Sequence, residues 1–354
     1  MAQSDPEISF HRYFSTLPPY QQKRYSGRLE MAGFGVPELA EAFEAIRNEI
    51  NARWQAYANR IQAPDGAVNL YLDYIDSTEV NAITFGHEEA YFVGITNKML
   101  IHFSTTSEAL WRLNPLRELL EIDLTVEVRN FLFRATLMIQ LQFISSHELG
   151  HLFHGHIERT SLQEEFDEEE SPAPAASSHN KMTDQAHEVE ADGYAVHMLL
   201  DNLITTDSGD QIYRRLGSAL VKEDCTLTLL LLSVGALFFF LRPRDFDPAK
   251  VRTLDHPFAL ARMNVVLNDF KGWCALNRPG LEEWATVEKF QRVMACVGQA
   301  ANKAEQLSAW TRQGEFLKSP DGERYMSDLY LEQDKLRQNM SSRSWKLIPL
   351  PEAH

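Results

Sequence analysis

The sequence predicts an α+β protein that is mostly helical, with a small antiparallel sheet and an edge strand placed before one long helix. Three observations carry that expectation. Between Val68 and Phe103 the segments NLYLDYI and AITFGHEEAYFVGITNKMLIHF are rich in Tyr, Phe, Ile and Val with polar breaks, as strands are. From about Leu116 onward the chain reads as helices, and Val126 to about His156 reads as one of them, strongly apolar along FLFRATLMIQLQFI. Ahead of the strands, residues up to about 60 look helical and amphipathic, most clearly along ELAEAFEAIRNEINARWQAYANRIQ from Glu38.

The breaks between these elements have local causes. Pro64-Asp65-Gly66 ends the N-terminal helix with turn residues, and Gly86-His87-Glu88-Glu89 has the makings of a hairpin tip. After the long helix comes EEFDEEESPAPAASSHN, within a stretch of about residues 158–183; acidic and rich in Pro, Ala and Ser, it has little to bury and reads as a flexible loop. A second helix, about Asp184 to Leu203, follows, then the apolar run LTLLLLSVGALFFFL (Leu227 to Leu241) and a helix containing HPFALARMNVVL. The tail beyond Pro279 is helical and polar until Ser319–Arg324 and carries no chemical motif, and no internal repeat is present. The expected organisation is an N-terminal helical segment (1–66), a catalytic domain (67–275) and a helical C-terminal segment (276–354).

Charge and cysteine usage narrow the function. With 34 basic and 50 acidic residues the net charge is −16, which argues against a nucleic-acid partner, whose phosphates call for a basic surface. Cys225, Cys274 and Cys296 are too few and too scattered for a disulfide framework or a cysteine zinc cluster, so a reducing, cytoplasmic setting is expected. The start MAQSDPEISFHRYF lacks the basic and apolar regions of a secretory signal. Leu227–Leu241 is shorter than the roughly 18–20 apolar residues a span needs, and it reads as a buried core helix, with membrane contact as the alternative.

The chemistry is concentrated at His147-Glu148-Leu149-Gly150-His151. On a helix, i and i+4 share a face one turn apart, so both imidazoles reach one metal ion at about 2.0–2.1 Å. Glu148, next to the first ligand, is placed to take a proton from an attacking water without ligating the metal. A catalytic zinc takes three protein ligands and keeps one position open. The candidate source of the third is HEVEADGYA, residues 187–195. Glu188 and Asp192 stand i, i+4, so one carboxylate can bind the metal while the other accepts a hydrogen bond from a ligand imidazole. Glu190 points about 200° round the helix from Glu188 and His187 about 100° off, which leaves them as the alternative ligands. His197 falls on the opposite face and reads as packing, and His154 and His156, at the helix end, read as surface or supporting residues.

HELGH followed by EVEAD resembles the gluzincins, zinc metallopeptidases in which HExxH is completed by a glutamate, and is similar in particular to the M48 (HtpX-like) and phage-exclusion Lit-type peptidases. Val80-Asn81-Ala82 with the following GITNKML resembles the active-site edge strand of that family, and His256-Pro257 with Arg262 resembles its downstream motif. The resemblance spans roughly residues 68–270 and implies a zincin-like catalytic domain with Glu148 as general base, Glu188 as third ligand and Asp192 as its support. It further implies that the Asn81 strand pairs with extended substrate backbone. His256 and Arg262 would steady the oxyanion or gate the open zinc position; a helix start with a structural salt bridge is the alternative for that pair. The expected activity is that of a zinc-dependent endopeptidase acting on protein or peptide substrates. Its rivals are a zinc-stabilised interaction module without catalysis and a peptidase held at a membrane through Leu227–Leu241. The acidic tract reads as a solvated loop, or as a lid over the cleft.

Overall fold

A computed structural model describes residues 5–58, 61–62, 69–88, 90–156, 163–164, 181–241, 246–284, 286–300, 304–339 and 346–347. The expected Pro64-Asp65-Gly66 break and all of the acidic tract but Gln163–Glu164 and the start of the next helix lie outside the described residues. The chain is mostly helical: α1 (Pro6–Thr16), α2 (Pro19–Arg24), α3 (Pro37–Ala58), α4 (Asn97–Trp111), α5 (Leu116–Leu120), α6 (Val126–His154), α7 (Lys181–Thr205), α8 (Asp207–Leu216), α9 (Lys222–Leu241), α10 (Ala259–Asn277), α11 (Val287–Gln299), α12 (Ala304–Leu317) and α13 (Pro320–Asn339). The strands are β1 (Tyr25–Arg28), β2 (Ile61–Gln62), β3 (Asn69–Ser77), β4 (Ala82–His87), β5 (Ala90–Thr96), β6 (Gln163–Glu164) and β7 (Lys346–Leu347). Two compact units are built from them. The described residues of Met1–His102, Glu148–Ala175 and Arg337–His354 form the first, and those of Phe103–His147 and Ala176–Leu336 the second.

The first unit is organised by a five-stranded sheet of order β1-β3-β5-β4-β6. It is mixed, not antiparallel as expected, because β5 returns from the β4 hairpin into the place beside β3 and so runs parallel to it, Leu72 facing Val93. Every residue of β5 is buried, which is why it shows no alternation. Gly94 sits where a Cβ would come within 2.2 Å of Ile75 Cδ1, so this close approach of side chains needs glycine. On one face Phe10, Tyr13 and Phe14 of α1 pack on Phe85 and Phe92, with Tyr13 stacked on Phe85 at 3.9 Å. β1 covers β3 only from Ile75 onward. At Leu72 the Asn51 amide of α3 takes over, accepting from the backbone N–H at 2.8 Å and donating to the carbonyl at 2.9 Å. The fully buried Asp73 is held by Arg28 at 2.7 Å and Arg47 at 2.8 Å.

Two other expectations are corrected here. Tyr25–Arg28, within the supposedly helical N-terminus, is a strand, since its backbone finds partners on β3. NKMLIHF, read as strand, begins α4: the Thr96 hydroxyl accepts from Met99 N–H at 3.2 Å, an N-cap that ends β5 and starts a helix. The expected hairpin tip is present, with Glu88 at φ 53° and its carboxylate bonded by Ser9 and by Arg12 at 2.6 Å.

The second unit is helical. α9 buries its apolar side chains from Leu227 to Phe239 all round, as an interior helix does. Gln140 of α6 donates to the Ser233 carbonyl at 3.0 Å, tying the two helices across that interior. Among the described residues no helix is long and apolar enough to cross a membrane.

Burial lowers the His102 pKa from 6.5 to about 4. Between those values the unfolded chain takes up a proton that the folded chain refuses, so stability falls as pH drops from 6.5 towards 4. Urea melts should show that loss, up to about 3 kcal/mol, and His102→Gln should flatten this part of the pH profile.

Candidate metal centre

Both histidines of the HELGH segment are fully buried on α6, one helical turn apart, and Glu148 between them is buried too. α7 buries three carboxylates in little more than one turn, Glu188, Glu190 and Asp192. One turn earlier on α7, the fully buried Gln185 donates to the Val251 and Leu254 carbonyls at 2.8 and 2.7 Å and accepts from Tyr325 at 2.6 Å. Phe258 anchors the same segment among Phe246, Phe316 and Tyr325. These contacts fix the turn before α10, and so bring His256 and Arg262 against α7.

Within the second unit the side chains form a chain of contacts. Arg262 grips Asp192 with both arms of its guanidinium, Nε to Oδ2 at 2.8 Å and Nη2 to Oδ1 at 2.6 Å. Asp192 Oδ1 lies 3.0 Å from His147 Nδ1. The other ring nitrogen, Nε2, lies on the side of Glu188, whose Oε2 is 3.6 Å away. That distance is too long for a hydrogen bond and close to the roughly 3.4 Å that separates two ligands held at about 2.1 Å around a tetrahedral ion. His256 Nδ1 meets the same Oε2 at 3.0 Å, and Arg262 Nη1 lies 3.8 Å from it. Arg262 is itself held from behind, its guanidinium carbon 4.4 Å from the Phe238 ring centroid.

α6 is one unbroken helix, so the helix itself sets His151 beside His147. The ligand atoms of His147, His151 and Glu188 all fall within 4.8 Å of one another. Two imidazoles and a carboxylate are a zinc-type donor set. The charge also suits a cation: Glu188 and Asp192 are both buried here, with Arg262 bonded to Asp192 and 3.8 Å from Glu188.

Two further contacts lie within the first unit. Thr84 of β4, fully buried, donates its hydroxyl to Glu148 Oε2, and its oxygen lies 3.5 Å from the Glu148 carbonyl. Gly155, at φ 69°, ends α6 in a left-handed turn in which Gly155 N–H bonds the Leu152 carbonyl and His156 N–H the His151 carbonyl. The reversal sets His156 Nδ1 3.0 Å from His151 Nδ1.

Of the residues expected from sequence, His147, His151, Glu188, Asp192, His256 and Arg262 are thus brought together, with Glu148 on the same helix turn as the two histidines. The alternative ligands stand elsewhere: Glu190 is buried but outside this group, and His187 lies near Glu332 of α13. Asn81 faces away from the expected role. Its amide donates to the Tyr25 hydroxyl at 3.1 Å and its backbone pairs with Thr96, while the outer edge of β4 pairs with β6 at Ile83 and Thr84. Thr84 carried no sequence signal; the contact exists only because β4 is brought to α6. No protein-family model matches the chain, and no curated protein or solved structure matches it.

If Asp192 sets the tautomer of His147, Asp192→Asn should weaken zinc binding by about 10- to 100-fold, measured by competition with a chromophoric chelator. Wild-type affinity in that variant would remove Asp192 from the centre.

Proposed function

We propose that this chain is a zinc metallopeptidase of the gluzincin type, holding the ion through His147, His151 and Glu188. The observation that carries the reading is the convergence of these three buried donors, with a fourth buried carboxylate, Glu148, beside the first of them. A purely structural zinc site would close its coordination with a fourth protein ligand and have no use for a base.

Zinc bound there supplies a Lewis acid, which acidifies a water and stabilises negative charge on a carbonyl oxygen. Glu148 takes the proton from the attacking water and returns it to the leaving amine. Asp192 holds the His147 ring in one tautomer and orientation, and the two-armed contact from Arg262 holds Asp192 in place while it does so. His256 orients the Glu188 carboxylate through Oε2. The substrate class is protein or peptide, since an amide carbonyl is what this combination of Lewis acid and base attacks. Three free, buried cysteines fit a protein working in a reducing, cytoplasmic setting.

Glu148→Gln is the direct test. It should retain about one zinc per chain while cleavage of fluorogenic casein falls by about 10²- to 10⁴-fold. Undiminished cleavage would take the base role from Glu148, and absence of cleavage by the zinc-loaded intact protein across a broad peptide library would overturn the peptidase reading.

A further inference from the structure

Placing a base next to a ligand does not fix its direction. The terminal torsion of a glutamate is broad and roughly two-fold, so a carboxylate left to itself samples many orientations at little cost. Proton transfer in turn depends on sub-ångström placement, and displacements of about 1 Å reduce rates by about 100-fold. Something must therefore hold the Glu148 carboxylate.

We propose that Thr84 is the positioning residue for Glu148, its hydroxyl anchoring Oε2 so that the carboxylate keeps one orientation towards the reacting water. The inference rests on the peptidase reading given above. Thr84 is suited to the task in three ways. It is fully buried, so bulk solvent does not compete for its hydroxyl. Its backbone is fixed from both sides, paired with Val93 of β5 and with Gln163 of β6, so the anchor does not drift. As a β-branched residue on a strand it has few χ1 rotamers, which limits where the hydroxyl can be. The contact joins residues 64 positions apart and lies wholly inside the first unit, between a strand and the segment that begins with Glu148. A neutral hydroxyl can anchor the carboxylate without the strong pull on its proton affinity that a lysine or arginine in the same place would exert.

A merely structural role for Thr84, satisfying a buried carboxylate, makes different predictions, and the test separates them. Zinc-loaded full-length protein is compared as wild type, Thr84→Val and Thr84→Ser on the fluorogenic peptide it cleaves best. Thr84→Val, which keeps the shape and removes the hydroxyl, should lower kcat by about 10- to 100-fold while KM and zinc content stay within about two-fold. Thr84→Ser should recover most of the loss. Wild-type kcat in Thr84→Val overturns the proposal, as does a Thr84→Ser variant as slow as Thr84→Val. Thermal melts of the metal-free protein give a readout independent of activity. If the hydroxyl bonds the Glu148 side chain, Thr84→Val should lower the Tm of the native chain but leave that of the Glu148→Ala background, which has no acceptor, almost unchanged. Should Thr84→Val not fold, Thr84→Val/Glu148→Ala decides the matter: folding at the Glu148→Ala Tm supports the proposal, and failure to fold overturns it by showing that Thr84 acts in packing. No cleavage by the wild type would overturn the peptidase reading itself, which is distinguishable from active wild type with unaffected Thr84→Val.

Discussion

A carboxylate without exposed surface needs surroundings that repay the hydration it loses, and Asp192 lies between His147 Nδ1 and the two-armed grip of Arg262. The rest of the candidate centre depends on that contact. It selects which imidazole nitrogen faces Glu188, and it requires α10 to lie against α7 at Arg262. That placement in turn depends on Gln185 and Phe258 fixing the turn in which His256 arrives. Phe238, on the apolar α9, closes the far side of the guanidinium, so an interior apolar helix also braces a buried charge.

α6 contributes in a different way. Its regular geometry places two histidines on one face without any tertiary help, and the glycine that ends it turns His156 back onto His151. Both imidazoles of the HELGH segment thus have a neighbour at Nδ1: a carboxylate for His147 and a second imidazole for His151. The partners are not equivalent. A carboxylate can only accept from such a nitrogen, whereas a facing imidazole can accept or donate, so the neighbour of His147 is the more restrictive of the two.

Much of this was legible in the sequence because it is periodic. The long apolar lead-in to HELGH, the EVEAD helix and the hairpin at Glu88 depend on helical spacing and turn chemistry, which single residues reveal, and α6 and α7 occupy close to the expected spans. What escaped was decided by tertiary context. Tyr25–Arg28 is a strand only because β3 offers it an edge, and NKMLIHF, a short apolar run compatible with either period, is settled as helix by the Thr96 cap. The parallel β3–β5 pair cannot be read from strands that look alike in isolation. Tertiary context also decides the contacts around the Asn81 strand: Asn81 bonds Tyr25 and Thr96, and Thr84 is the residue that reaches Glu148 of α6.

The account stands or falls on whether these three donors hold a metal together. The most direct measurement is the zinc content of the purified full-length protein after equilibration with zinc and desalting, made beside Glu188→Ala. The account predicts about one zinc per chain in the intact protein and its loss, or a weakening of affinity of at least about 100-fold, in the variant, which is left with two ligands. No stoichiometric zinc in the intact chain, or equal binding by Glu188→Ala, would contradict it.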